Sequence, residues 1–173
     1  MPMSIRPVEF SDVAAITRIY ADAVLHGTAT FEIDPPGEAE MARRMQALSA
    51  KGYPYLVAET DGAVAGYAYA GPYRDRPAYH WCVEDSIYID PQFHRRGIGR
   101  ALLGRLIAAA EAGGFRQMLG VVGDSANTAS IGIHAALGFR PIGTFQAVGF
   151  KHGRWLDTVL MQRTLGKGDA APP

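Results

Sequence analysis

The sequence predicts an α/β chain of the α+β type, a mixed sheet of about seven strands covered by about four helices. Three observations carry this. Strand-like and helix-like segments follow one another in the order β-α-α-β-β-β-α-β-α-β-β, which is not a clean βαβ repeat. Asp61-Gly62 between two apolar runs signals a hairpin. Leu102, Leu103, Leu106, Ile107 and Ala110 recur at helical spacing, the apolar face of an amphipathic helix.

Taken in order, residues 5–8 read as a short strand. Ser11 then caps a helix that carries Val13, Ile16, Tyr20 and Val24 on one face and ends at Gly27. A polar loop holding Thr28, Thr30, Phe31 and Glu32 is stopped by Pro35-Pro36. Residues 38–51 form a second helix, with Met41, Met45 and Leu48 at helical spacing and Gly52 as its stop. Residues 55–60 and 64–73 are the hairpin strands, and 81–89 is the next strand. Helix 99–112, strand 117–122 and a helix over 127–137 closed by Gly138 follow. Two last strands, 141–150 and 155–163, join near His152-Gly153. No repeat or linker divides the chain, so residues 1–165 form one domain and 166–173 read as a disordered tail.

At 173 residues with 48% apolar content, the chain is long enough for one domain with a substantial core. Basic and acidic residues number 17 each, and this neutral balance argues against broad capture of nucleic acid or of an anionic membrane. No apolar run approaches the ~20 residues of a membrane span, and residues 1–6 lack the apolar core of an export signal. Cys82 is the only cysteine, which excludes an internal disulfide and fits a reducing cytoplasm. It reads as a buried, inert thiol.

The segment richest in chemistry is 83–100. An apolar strand, with Glu84 near its start and Ile87, Tyr88 and Ile89 along it, runs through Asp90-Pro91 into His94, Arg95, Arg96, Gly97, Ile98, Gly99 and Arg100. That turn opens directly into a helix. Such a strand–turn–helix aims backbone N–H groups and the positive end of the helix dipole at one point, a ready site for phosphate. The three arginines add mobile positive charge. A P-loop would need Lys-Ser or Lys-Thr after the second glycine, where Arg100-Ala101 stands, and is excluded. A dinucleotide fingerprint would need a third glycine at Leu102 and is poorly matched.

With its flanks, the segment resembles the acetyl-CoA-binding motif of the GNAT acetyltransferase superfamily, Gln/Arg-x-x-Gly-x-Gly/Ala. Gly97 and Gly99 match, Arg95, Arg96 and Arg100 are typical company, and His94 departs from the usual Gln or Arg. Downstream, 127–139, with Asn127, Ser130, His134 and the ending Leu137-Gly138-Phe139, resembles the second GNAT signature. Segments 28–32, 71–79, 84–89 and 149–157 resemble the phosphinothricin N-acetyltransferase family, which acetylates the amino group of small glutamate-like or methionine-derived compounds. The resemblance implies the GNAT fold, a mixed and mostly antiparallel central sheet in which strands 81–89 and 117–122 splay apart. It also implies acetyl-CoA as cosubstrate, a small-molecule amine as substrate, direct transfer in a ternary complex, and a homodimer through the region 150–160. Ile87, Tyr88 and Ile89 would lend backbone groups to the pantetheine arm and the thioester carbonyl, with Asn127 and Ser130 on the same side.

Acetyl transfer to an amine needs a neutral amine, a polarised carbonyl and a proton for the departing thiolate. Alkylammonium groups, near the lysine value of ~10.4, are mostly charged at neutral pH, so a base is useful. The resemblance implies Glu84 as that base; on its own it reads as a strand-end carboxylate. His134 stands where many GNAT enzymes keep a tyrosine. A value near ~6.5 permits it an acid or an auxiliary base role, and a helix histidine satisfied by packing stays open as the alternative. Arg74 and Arg76 are candidates to grip a carboxylate or phosphinate bidentately. Phe31, Tyr79 and Tyr88 are candidates to wall the pocket. No histidines or carboxylates have metal-ligand spacing, so no metal is expected. Two other readings stand beside the favoured one: acetylation of a protein or peptide N-terminus, and a non-catalytic acyl-CoA-binding domain. Binding alone would require neither Glu84 nor His134.

Overall fold

In the computed structural model, which describes residues 3–173, strand β1 (Ser4–Pro7) leads into helices α1 (Val13–His26) and α2 (Glu38–Ala50). Strands β2 (Tyr55–Thr60), β3 (Ala63–Pro72) and β4 (Cys82–Ile89) follow, then α3 (Ile98–Ala112), β5 (Gln117–Gly123), α4 (Thr128–Ala136), β6 (Arg140–Lys151) and β7 (Arg154–Thr164). The strands form one sheet in the order β1-β2-β3-β4-β5-β7-β6. Every neighbouring pair is antiparallel except β4 with β5, which run parallel.

Two apolar slabs hold the sheet. On one face Leu102, Leu103 and Leu106 of α3 pack with Ala68, Val83, Met118 and Phe139. On the other, Ile16, Ile19 and Val24 of α1 and Met41 and Met45 of α2 pack with Val57 and Tyr67. Each fully buried side chain of this size contributes about 1.5–3 kcal/mol.

The parallel pairing of β4 and β5 ends at Asp85 opposite Gly120. Beyond it, β4 continues from Ser86 to Ile89 on β3, and β5 continues from Val121 to Gly123 on β7. The edges that β4 and β5 turn toward each other there are unpaired backbone.

The expected serine cap does not form. The chain enters α1 through a 3₁₀ turn, Phe10–Asp12. The buried Asp12 carboxylate fastens this turn, accepting the Glu9 N–H at 2.8 Å and pairing with Arg6 of β1 at 2.8 Å. A carboxylate with a guanidinium partner outcompetes a lone hydroxyl. In the stretch 166–173, read from the sequence as a disordered tail, residues 166–169 turn and 170–171 bend. Leu165 is buried, and the Arg116 guanidinium donates to the carbonyls of Gly168 and Pro172.

Candidate active site

The gap between β4 and β5 opens into a cleft of about 260 Å³, lined among others by Phe31, Glu84, Asp85, Tyr88, Asn127 and His134. Beyond the cleft lining, β4 ends at Ile89 and the chain runs into the glycine turn. Arg95 and Gly97 adopt left-handed backbone there, with φ of 63° and 78°. Only Gly97 does so without a Cβ penalty. The curl delivers the chain into α3, whose first-turn N–H groups have no intrahelical partner. Arg95 and Arg100 are exposed, while Arg96 is drawn aside to Asp61 at 3.2 Å and over the Phe93 ring. The turn therefore combines free backbone N–H groups with exposed positive charge, an arrangement suited to an anion.

The closed end is built differently. Asp85 and His134 are buried, with His134 Nε2 at 3.0 Å from Asp85 Oδ1. The other ring nitrogen, Nδ1, lies 2.8 Å from the Ser130 carbonyl. Burial by itself would lower the His134 pKa, but the Asp85 carboxylate and the Ser130 carbonyl outweigh it and hold the pKa above the ordinary value. The ring reaches Asp85 only because residue 120 is glycine: a Cβ there would lie 2.7 Å from His134 Cδ2. Glu84 is half-buried beside this pair. Burial, with the Asp85 charge second, pushes its carboxyl up to about 7. A carboxylate so placed is ionised in part at neutral pH and holds a proton well.

One wall is the loop that carries Phe31. Lys151, buried at the end of β6, donates to the Thr30 carbonyl at 2.8 Å. The Tyr20 hydroxyl meets Thr30 Oγ1 at 2.9 Å and donates to Glu32 at 2.9 Å, and Arg44 holds Glu32 at 2.6 Å. These ties set Phe31 over Gly149 and Gly123. Tyr88 completes the floor, its ring edge-on to Tyr20 at 5.0 Å.

The model of the acetyltransferase (GNAT) family matches residues 10–139. The chain belongs to the GNAT acetyltransferase family. A phosphinothricin N-acetyltransferase of Alcaligenes faecalis is 53% identical over 170 residues, which is 98% of this chain and 86% of that one. An L-methionine sulfoximine/L-methionine sulfone acetyltransferase of Salmonella typhimurium is 40% identical over 170 residues, 98% of each chain. The crystal structure of a GNAT superfamily phosphinothricin acetyltransferase from Sinorhizobium meliloti in complex with acetyl-CoA superposes with a TM-score of 0.97 at 50% identity, over 100% of this chain and 94% of that one.

Within this GNAT domain the expected site residues fall into three groups. Glu84, His134, Ile87, Tyr88, Asn127, Ser130 and Phe31 come together around the cleft. Arg95, Arg96, Gly97, Gly99 and Arg100 gather at the glycine turn, with Ile98 buried beneath them and Ile89 packed against the core. Asn127 also serves as N-cap of α4, its Oδ1 accepting the Ser130 N–H at 3.2 Å. Arg74, Arg76 and Tyr79 stand apart. They lie exposed on the connection between β3 and β4, Arg74 over the Tyr73 ring and Tyr79 edge-on to it, and none lines the cleft. Sequence reasoning passed over Asp85, Gly120 and Lys151. The one signal for Asp85 was a second acid next to Glu84. Among the described residues no group of three or more His, Cys, Asp and Glu is arranged to hold a metal. Cys82 is half-buried, and burial pushes its thiol pKa up.

Proposed function

We propose that this chain transfers the acetyl group of acetyl-CoA to the amino group of a small amino acid analogue of the phosphinothricin, methionine sulfoximine or methionine sulfone type. The observation that carries the reading is a gap where β4 and β5 part, with a carboxyl of pKa about 7 beside it and, where β4 ends, a left-handed glycine turn opening into α3. The donor fits this chain. The free N–H groups of the α3 first turn, with Arg95 and Arg100, suit its diphosphate, and the unpaired edges at 86–89 and 121–123 suit its pantetheine amides. Acetyl-CoA supplies a thioester carbonyl open to attack and a thiolate that leaves. Glu84 takes the proton that the substrate ammonium must lose, a task matched by a pKa of about 7. His134 contributes positive charge, or a proton, where negative charge develops. Arg74 and Arg76, exposed and outside the cleft lining, remain the candidates for the acidic group of the substrate. Their connection leaves β3 just beyond Gly71, which is paired with Glu84.

A homodimer through β6 and β7 belongs to the same reading. β6 is the outermost strand, and Ile142, Phe145, Val148, Phe150 and Trp155 are between 51% and 66% exposed. An uncovered apolar edge of this kind invites a partner. Light scattering is expected to give a dimer at micromolar concentration; a monomer contradicts it. With a single cysteine and no helix long and apolar enough to cross a membrane among the described residues, we assign the chain to the cytoplasm.

The test is thiol release from acetyl-CoA against phosphinothricin, methionine sulfoximine, methionine sulfone, glutamate, lysine and an N-terminal peptide. Saturable turnover confined to the first three is expected. Turnover of the peptide alone contradicts the small-molecule reading.

A further inference from the structure

Asp85 has a side chain only 3% exposed, and it spends one oxygen on His134. Its second oxygen, Oδ2, is buried without a hydrogen-bond partner. The His134 ring sits between two acceptors, Asp85 Oδ1 on Nε2 and the Ser130 carbonyl on Nδ1. A neutral imidazole carries one N–H and would turn a lone pair toward one of those oxygens. Only the imidazolium satisfies both. The elements around the ring offer no competing charge. β5 presents Gly120, α4 presents the Ser130 carbonyl and hydroxyl, and Phe139 lies edge-on at 4.9 Å. Glu84, the neighbouring acid, projects from the opposite face of β4.

We propose that Asp85 is a positioning residue that holds His134 as a fixed imidazolium at the closed end of the gap, leaving Glu84 as the group whose ionisation turnover follows. The inference deepens the acetyl-transfer reading and rests on it for its catalytic consequence. His134 then exchanges no proton during turnover. It is a preorganised positive charge, kept in one orientation by two buried acceptors. Asp85 acts through it and touches neither reacting partner by way of Oδ1.

The direct test is a nitrogen-15 NMR titration of the histidine rings in the wild-type protein, with His134→Gln used to identify the signal. Both His134 ring nitrogens are expected to stay protonated from pH 6 to pH 8, although an ordinary histidine deprotonates near ~6.5. A neutral ring at pH 7 overturns the proposal, with no variant required. Asp85→Asn, its fold checked by thermal melting, is expected to leave the ring neutral by pH 7.5. It should lower kcat about 10–100-fold, the loss seen when the orienting partner of a metal-bound histidine is removed, with KM for acetyl-CoA within about twofold. A folded Asp85→Asn variant with wild-type kcat also overturns it. A doubly protonated ring in a protein that acetylates no amine would instead sink the acetyl-transfer reading, and reduce the pair to a structural ion pair.

Discussion

The two ends of the β4–β5 gap are built from opposite materials. At the outer end the working groups are backbone N–H donors and exposed arginines on a turn open to water. At the closed end they are side chains withdrawn from water, two acids and an imidazole, held by strand pairing and a missing Cβ. Exposed charges are screened and individually worth little. Buried ones are costly to leave unpaired. On the proposed reading, affinity for the donor belongs to one end and turnover to the other, so substitutions at the two ends should move different kinetic constants.

The sharpest break is Glu84→Gln. It is expected to lower kcat by about 10²–10⁴, the usual worth of a general base, with KM for acetyl-CoA nearly unchanged. Equal losses in both constants would erase the division between the ends. Gly120→Ala comes next. Its methyl would lie 2.7 Å from Cδ2 and 2.9 Å from Nε2 of His134, so the ring must leave Asp85. A loss of about 1–3 kcal/mol in stability by denaturant titration is expected, with a fall in kcat. Smaller effects belong to the outer end. Arg95→Ala and Arg100→Ala are each expected to raise KM for acetyl-CoA about 3–10-fold, less at high salt, and to spare kcat.

The smallest effect sharpens the comparison through stability. Because burial raises the Glu84 pKa from 4.5 to about 7, the native state binds this proton more readily than the unfolded chain. Its contribution to stability therefore falls as pH rises through that window. Glu84→Gln removes the penalty. Thermal melting is expected to show the variant roughly 2–4 °C more stable than wild type at pH 8, the shift for about 1 kcal/mol in a chain of this size. At pH 5 little difference is expected. A variant less stable at pH 8 would mean that the Glu84 charge is stabilised where it sits.

Legibility in the sequence followed the same division. The outer end is one contiguous stretch, and 94–100 displays its glycines and arginines in a row. The seven strands and four helices were legible for a similar reason, since each is marked by local periodicity and turn residues. The closed end is assembled across the fold. That Asp85 meets His134 depends on the parallel register that sets Asp85 opposite Gly120, and no local pattern encodes it. Lys151 reaches Thr30 over 121 positions of sequence. The Arg74, Arg76 and Tyr79 stretch illustrates the converse: residue types suited to an acidic ligand sit on a connection whose path the sequence does not define. The Ser11 cap lost to Asp12 because Arg6, on the neighbouring strand, decides between them.

The most direct measurement is the pH dependence of kcat at saturating acetyl-CoA and amine, for wild type and for Glu84→Gln. A single rise is expected with its midpoint near the Glu84 value of about 7, a plateau above it, and a low, flat profile in the variant. A second limb above neutral pH that vanishes in His134→Gln would contradict it, and so would a wild-type rise that survives in Glu84→Gln.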